Sequence, residues 1–335
     1  MKFKTLLIIA VVFAAFLPSC VDEDVDLLGN WVTKAYYGSY ARGDGSSFAI
    51  NGYGYWGMGY DGDEYFSDFW KYDPVKNTWS QVADFPGTPR AYNVSVSSGS
   101  KGYVGLGYDG DNDLADMWEY DAEADSWAPI DSFPGGARRF ATAFAINNVL
   151  YVGTGSEEND KKYLNDFYKY DGDKWELIPS LTGQKRIKAN TVVLDGKAHI
   201  ISGKSISSNL TDHWVFDPET EVWTELDDLN DDDTGNDKVA RQNASAFVSN
   251  GKIYLVGGYS GNASLDNVFE WDPNRAENGM WIEKTSIEKG NAREGAGCFV
   301  LNDYGYIVGG RLAGTSYLDD CYMFQPYAEA NSDDN

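Results

Sequence analysis

Short runs of alternating or wholly apolar residues, broken by turns of Gly, Asn and Asp, succeed one another along nearly the whole chain. The stretch Phe144-Ala-Ile-Asn-Asn-Val-Leu-Tyr-Val-Gly-Thr-Gly155, followed by Asn165-Asp-Phe-Tyr-Lys-Tyr-Asp171, shows the unit: two short strands around an Asn-Asn turn, then a third. Tryptophan sets the period. Trp31, Trp79, Trp127, Trp175 and Trp223 stand 48 residues apart, and Trp281 follows after 58. A second spacing runs in step with it: Arg42, Arg90, Arg138, Arg186, Arg241 and Arg293 each precede a glycine by 17 residues, namely Gly59, Gly107, Gly155, Gly203, Gly258 and Gly310. Each unit therefore predicts about four strands, and six units fill the chain.

A period near 50 with a glycine pair, a tyrosine-aspartate and a late tryptophan resembles the kelch repeat, whose unit is one propeller blade. The resemblance covers about residues 30–326 and implies an all-β, six-bladed kelch-type propeller of four-stranded blades. Blades one to four depart from it, because their glycine pair is broken as Gly57-Met-Gly59, Gly105-Leu-Gly107, Gly153-Thr-Gly155 and Ser202-Gly203. The last unit begins at Arg293 and ends at Gln325-Pro326 without its tryptophan, while Trp31 has no arginine–glycine pair before it. The fragments complement each other. Placing the Trp31 strand fourth in the last blade removes the only open edge, so the N-terminus is expected to close the ring.

A length of 335 residues alone would suggest about two domains; the repeat replaces that reading with one closed domain over residues 30–326. The first nineteen residues stand apart. Lys2 and Lys4 precede an apolar run from Leu6 to Leu17, too short to span a bilayer comfortably, and the run ends in Leu17-Pro18-Ser19-Cys20. This resembles a bacterial lipobox, which implies a signal peptide over 1–19 and lipid on Cys20. An ordinary cleaved signal with an incidental cysteine is the alternative. Residues 20–29 follow as an acidic tether, beginning Val21-Asp-Glu-Asp-Val-Asp26 and similar to the tethers of surface-exported lipoproteins of Gram-negative bacteria. An outer-membrane lipoprotein of the cell envelope, surface-exposed in one version, is therefore expected. Residues 327–335 read as a disordered polar tail.

Removing Lys2 and Lys4 takes the formal charge from −25 to −27. Such a surface repels nucleic acid and anionic lipid, leaving a lipid anchor as the expected membrane contact and a monomer as the expected state. Cys298 and Cys321 are too few for a disulfide framework.

Aligning the units on their glycines filters the candidate chemistry. His199 falls in a column with Tyr55, Tyr103, Tyr151, Tyr254 and Tyr306, and His213 in one with Phe69, Met117, Phe167, Val268 and Cys321, so both read as packed strand residues. Cys298 reads as a small core residue. Asp68, Asp116, Asp166, Asp212 and Asp320, with Asn267 in the fifth unit, recur before the third strand and suggest turn caps. Two features remain. The six arginines begin strand one near the axis, on the face that also carries the loops between strands two and three and the aspartate-rich insertion from Asp227 to Asp237. They are candidate ligand-binding residues for a carboxylate or glycan, since guanidinium forks suit carboxylates; pairing with a neighbouring blade's carboxylate or carbonyls is the competing structural role. Asp109, Asp111 and Asp113 are a weak candidate Ca²⁺ site, lacking the EF-hand glycine and distal glutamate, with Leu114 and Tyr120 at those positions. No other cofactor is expected.

Function then divides. A non-catalytic envelope module binding a protein or glycan through the arginine face is the first expectation. A sugar mutarotase is the second, because Phe85-Pro-Gly-Thr-Pro-Arg90 and Phe133-Pro-Gly-Gly-Ala-Arg138 resemble phrases of the kelch-type sialic acid mutarotases. The chain also resembles galactose oxidase in architecture, but that copper site needs two histidines, and both histidines here fall in packed columns.

Overall fold

The computed structural model describes residues 27–331 apart from 158–159, 227, 230–237, 289–290 and 313–315. Cys20, most of the Asp227 to Asp237 insertion and residues 332–335 of the expected tail lie outside the described residues.

Every regular element among the described residues is a strand. Twenty-four of the 28 form six four-stranded antiparallel sheets, each running from an inner strand at the axis to an outer one at the rim, and the other four make two short two-stranded ribbons in the loops between strands two and three of the third and fifth blades. The first is Ser46–Ile50, Tyr53–Gly57, Phe69–Asp73 and Thr78–Val82. The inner strands contact one another in succession and the sixth, Gly297–Leu301, contacts the first, so the ring closes. In the sixth blade the outer strand is Asn30–Lys34, paired with Cys321–Gln325 so that Trp31 faces Phe324. The two cysteines sit on non-adjacent strands of that blade and both are free thiols.

The core is divided as the ring requires. Six apolar clusters each fill one interface between neighbouring blades, such as Phe48, Tyr55, Phe69, Val104 and Tyr120 between the first and second. The tryptophan period has a mechanical origin. In five blades the outer-strand indole N–H reaches back to the carbonyl leaving the preceding blade's outer strand: Trp79 to Ala35 at 2.8 Å, Trp127 to Ala83 at 2.9 Å, Trp175 to Asp131 at 2.9 Å and Trp223 to Pro179 at 3.0 Å. Trp31 does the same to Thr285 at 3.1 Å.

Beside the closing strand, Gly29 N–H donates to the Ala328 carbonyl at 2.9 Å and Asn331 N–H to Asn30 Oδ1 at 2.8 Å.

Candidate functional site: the axial mouth

The six arginines do not line the mouth as surface donors. Arg42, Arg90, Arg138, Arg186, Arg241 and Arg293 are 0 or 1% exposed. Five form ion pairs with the aspartate before the third strand of their own blade: Arg42 with Asp68, Arg90 with Asp116, Arg138 with Asp166, Arg186 with Asp212 and Arg293 with Asp320. Each guanidinium also donates to a carbonyl sixteen residues on, for example Arg186 to Ser202 at 3.0 Å and Arg293 to Gly309 at 3.0 Å. The ligand-binding expectation gives way to the competing structural role, with the aspartate of the same blade as partner: a fully buried guanidinium turned onto carboxylate and carbonyl acceptors presents no open fork to a ligand. The aspartates change with them, from turn caps to arginine partners. Burial pushes the Asp68 and Asp116 carboxyls up, but the donors of Arg42 and Trp70, and of Arg90 and Trp118, outweigh it and hold both below the usual range.

The arginine–glycine spacing follows from this clamp. The glycine N–H seventeen residues on donates to the next blade's arginine carbonyl, Gly59 to Arg90 at 2.9 Å and so round to Gly310 on Arg42 at 2.8 Å. Those glycines hold φ between +91° and +98°, where a Cβ is strained.

Two residues beyond each arginine the chain turns into the axis, and there a second ring appears. Asp44, Tyr92, Phe140, Lys188, Asn243 and Gly295 all adopt left-handed backbone, with φ from +53° to +63°. Their peptides join head to tail: Tyr92 N–H donates to Asp44 at 2.9 Å, Phe140 to Tyr92 at 3.0 Å, Lys188 to Phe140 at 3.1 Å, Asn243 to Lys188 at 3.0 Å, Gly295 to Asn243 at 3.0 Å and Asp44 to Gly295 at 2.7 Å. Left-handed backbone is costly for Tyr, Phe and Lys and persists only where surroundings over-determine it. The closed ring supplies that constraint and presents five side chains at the mouth.

Above this ring lie the loops between strands two and three, each bridged to the segment after an arginine, as Gly43 to Tyr60 and Ala91 to Tyr108. They carry an arc of half-buried tyrosines. Tyr60 and Tyr65 stack at 4.5 Å, Tyr317 stands edge-on to Tyr60 at 6.2 Å and Tyr108 edge-on to Tyr65 at 6.1 Å. Burial, then the neighbouring phenols Tyr60 and Tyr108, push the Tyr65 hydroxyl up to about 12. The arc ends where the Arg139 guanidinium lies 4.0 Å over the Tyr108 ring.

Charges at the mouth are largely paired. Arg311 lies 3.4 Å from Asp44 and 3.5 Å from Glu294, and Asn243 Nδ2 donates to Asp44 at 2.8 Å and Glu294 at 3.3 Å. Arg139 lies 3.0 Å from Asp113 and 3.4 Å from Asp160. Lys188 differs: its ammonium sits 4.6 Å over Phe140, and burial lowers its pKa against the opposing pull of Asp44 and Glu294.

The three aspartates proposed for Ca²⁺ do not converge. Asp109 Oδ1 accepts the N–H groups of Asp111 and Asn112 at 2.9 and 2.7 Å, closing its own turn, and Asp113 turns to Arg139. Among the described residues no three His, Cys, Asp or Glu side chains group as metal ligands. The histidines meet instead in the core between the fourth and fifth blades, His199 Nδ1 at 2.9 Å from His213 Nε2, against Trp271 and Trp281. Both remain packed strand residues.

Asp44, Tyr92, Phe140, Lys188 and Asn243 escape a reading based on recurring residue types. Their signal is the opposite one, a position at fixed distance from an invariant arginine whose occupant changes in every blade. On the same face a polar cleft of about 660 Å³, lined by Thr182, Gln184, Asn209, Thr211 and Asp228, opens over the fourth blade.

The kelch motif matches residues 59–86 and 240–276. The chain is similar to the solved structure titled "Structure of YjhT", with a TM-score of 0.71 and 18% identity over 87% of this chain and 96% of that one. No curated protein matches its sequence. The molecule is a six-bladed propeller, two stretches of which match the kelch motif.

Proposed function

We propose that this propeller is a non-catalytic recognition module of the cell envelope, anchored through Cys20, that takes a glycan or a protein loop at the axial mouth. The tyrosine arc from Tyr317 through Tyr60 and Tyr65 to Tyr108 carries the reading. Aromatic rings that present both an apolar face and a hydroxyl suit sugar rings and protein surfaces alike. The polar cleft of the fourth blade opens on the same face, across the ring from the arc.

A glycan array probed with purified residues 21–335, repeated with Tyr65→Ala and Tyr108→Ala, tests the reading. Hits that both variants lose, with thermal stability retained, support it; hits indifferent to both overturn the site. The second reading, a mutarotase-like enzyme, draws on the carboxylates of Asp44 and Glu294 at the mouth as acid–base groups, although both are engaged with Arg311. Anomer exchange followed by NMR, accelerated by the wild-type chain and not by Asp44→Asn, would favour the enzyme.

A further inference from the structure

We infer that Lys188 is the seat for a single oxyanion, a carboxylate or a phosphate monoester, carried by whatever ligand the mouth takes. The inference rests on the binding reading above and specifies the ligand's charge.

The argument begins with the other ionic groups. Asp44 and Glu294 share Arg311 and the Asn243 amide, and Arg139 is placed between Asp113 and Asp160. The groups whose charge reaches Lys188 are Asp44, Glu294, Arg311 and Asp160, and all four belong to those two networks. Lys188 itself makes no side-chain hydrogen bond or ion pair within the described protein; its ammonium has only the Phe140 ring beneath it. Lys188 is half-buried, so its amine loses part of its water, and no oxygen of the described protein bonds it in return. An ammonium with three unanswered donors on the axial peptide ring is stabilised most by an anion.

Geometry defines what that anion is attached to. Tyr92 and Phe140 pack at 4.6 Å beside Lys188 in the peptide ring, forming an apolar wall, and the tyrosine arc stands above them. Lysine is a compact point charge and does not impose the two-pronged geometry of arginine, so carboxylate and phosphate are both accommodated. The ligand is thus a ring-bearing molecule with one acidic group directed down the axis.

Trace labelling of the folded chain with acetic anhydride across pH, read peptide by peptide by mass spectrometry, follows Lys188 beside the exposed Lys161 and Lys185 as internal standards. Acetate, glucuronate, glucose 6-phosphate and neutral glucose serve as probes at constant ionic strength. The three anions are expected to slow labelling of Lys188 saturably and to move its titration to higher pH, because a bound anion stabilises the ammonium, with the acetate, glucuronate and phosphate arms separating the two acid types. Glucose is expected to do neither. Lys188 labelling that ignores every anion, or responds equally to glucose, overturns the seat. For any ligand found on the glycan array, Lys188→Gln is expected to weaken binding roughly tenfold or more. A ligand bound equally by Lys188→Gln overturns the seat and leaves the binding reading standing; a blank array with Lys188 still responding to small anions does the reverse.

Discussion

At Asn267 the repeat breaks its own rule. In five blades an aspartate answers the buried arginine, but Asn267 brings no charge to Arg241, whose donors go to the backbone carbonyls of Lys238, Val239, Gly257 and, at 3.3 Å, Asn267 itself. Burial pulls the Arg241 pKa down to about 9, with only distant Glu283 opposing, and Asn267 Oδ1 is itself buried without a donor. Asn267→Asp restores the pair and is expected to stabilise the protein by about 1–2 kcal/mol, measured by denaturant unfolding; an unchanged or lowered midpoint would refute this account of the clamp. The converse change, Asp212→Ala, leaves the Arg186 guanidinium enclosed and uncompensated and is expected to cost about 3 kcal/mol. Reversing the charge of Arg90, Arg138 or Arg186 consequently reports on folding and is unsuited to testing ligand binding.

Strands and their pairing bring other groups together. Column alignment placed His199 and His213 separately in strands, yet antiparallel pairing sets Ile201 opposite His213 and Ile200 opposite Trp214, which brings the two imidazoles into contact. Burial lowers both pKa values, that of His199 to about 4. Because the folded values lie below the unfolded one near 6.5, the unfolded chain takes up protons first, so stability falls as pH drops below that value and levels off beneath about 4. The linkage amounts to about 2 kcal/mol by pH 5 for His199 alone. A His199→Tyr/His213→Phe variant, carrying residues that other blades use at these positions, is expected to keep its thermal midpoint between pH 7 and 5 better than wild type. Equal losses would place the acid sensitivity elsewhere. The indole staples give a third check at this scale: Trp127→Phe retains the ring and removes the bond to Ala83, at an expected cost of about 1 kcal/mol by denaturant unfolding.

Over the whole molecule, what can be read from residue types is what every blade must repeat. The tryptophans and the arginine–glycine pairs recur because each marks a backbone contact that joins one blade to the next, and those contacts define six blades and their order. The mouth was illegible for the complementary reason. Its peptide ring is built from main-chain groups that six different side chains can satisfy, so Asp44, Tyr92, Phe140, Lys188, Asn243 and Gly295 share a conformation and no residue type. The partner of each arginine is likewise illegible, because spacing locates a side chain near the axis without saying that Asp116 or Asp212 of the same blade holds it. The composite sixth blade has one more outcome, which concerns force. The N-terminal side is joined to the propeller at one seam: Leu27 and Leu28 bond Thr285, Gly29 bonds Ala328, and Asn30–Lys34 is locked to Cys321–Gln325 with Trp31 stapled to Thr285. Any pull on the N-terminus is delivered to that seam first, so the point of attachment and the ring's clasp are the same strand, and tension sufficient to draw it out would open the circle before it unravelled any blade.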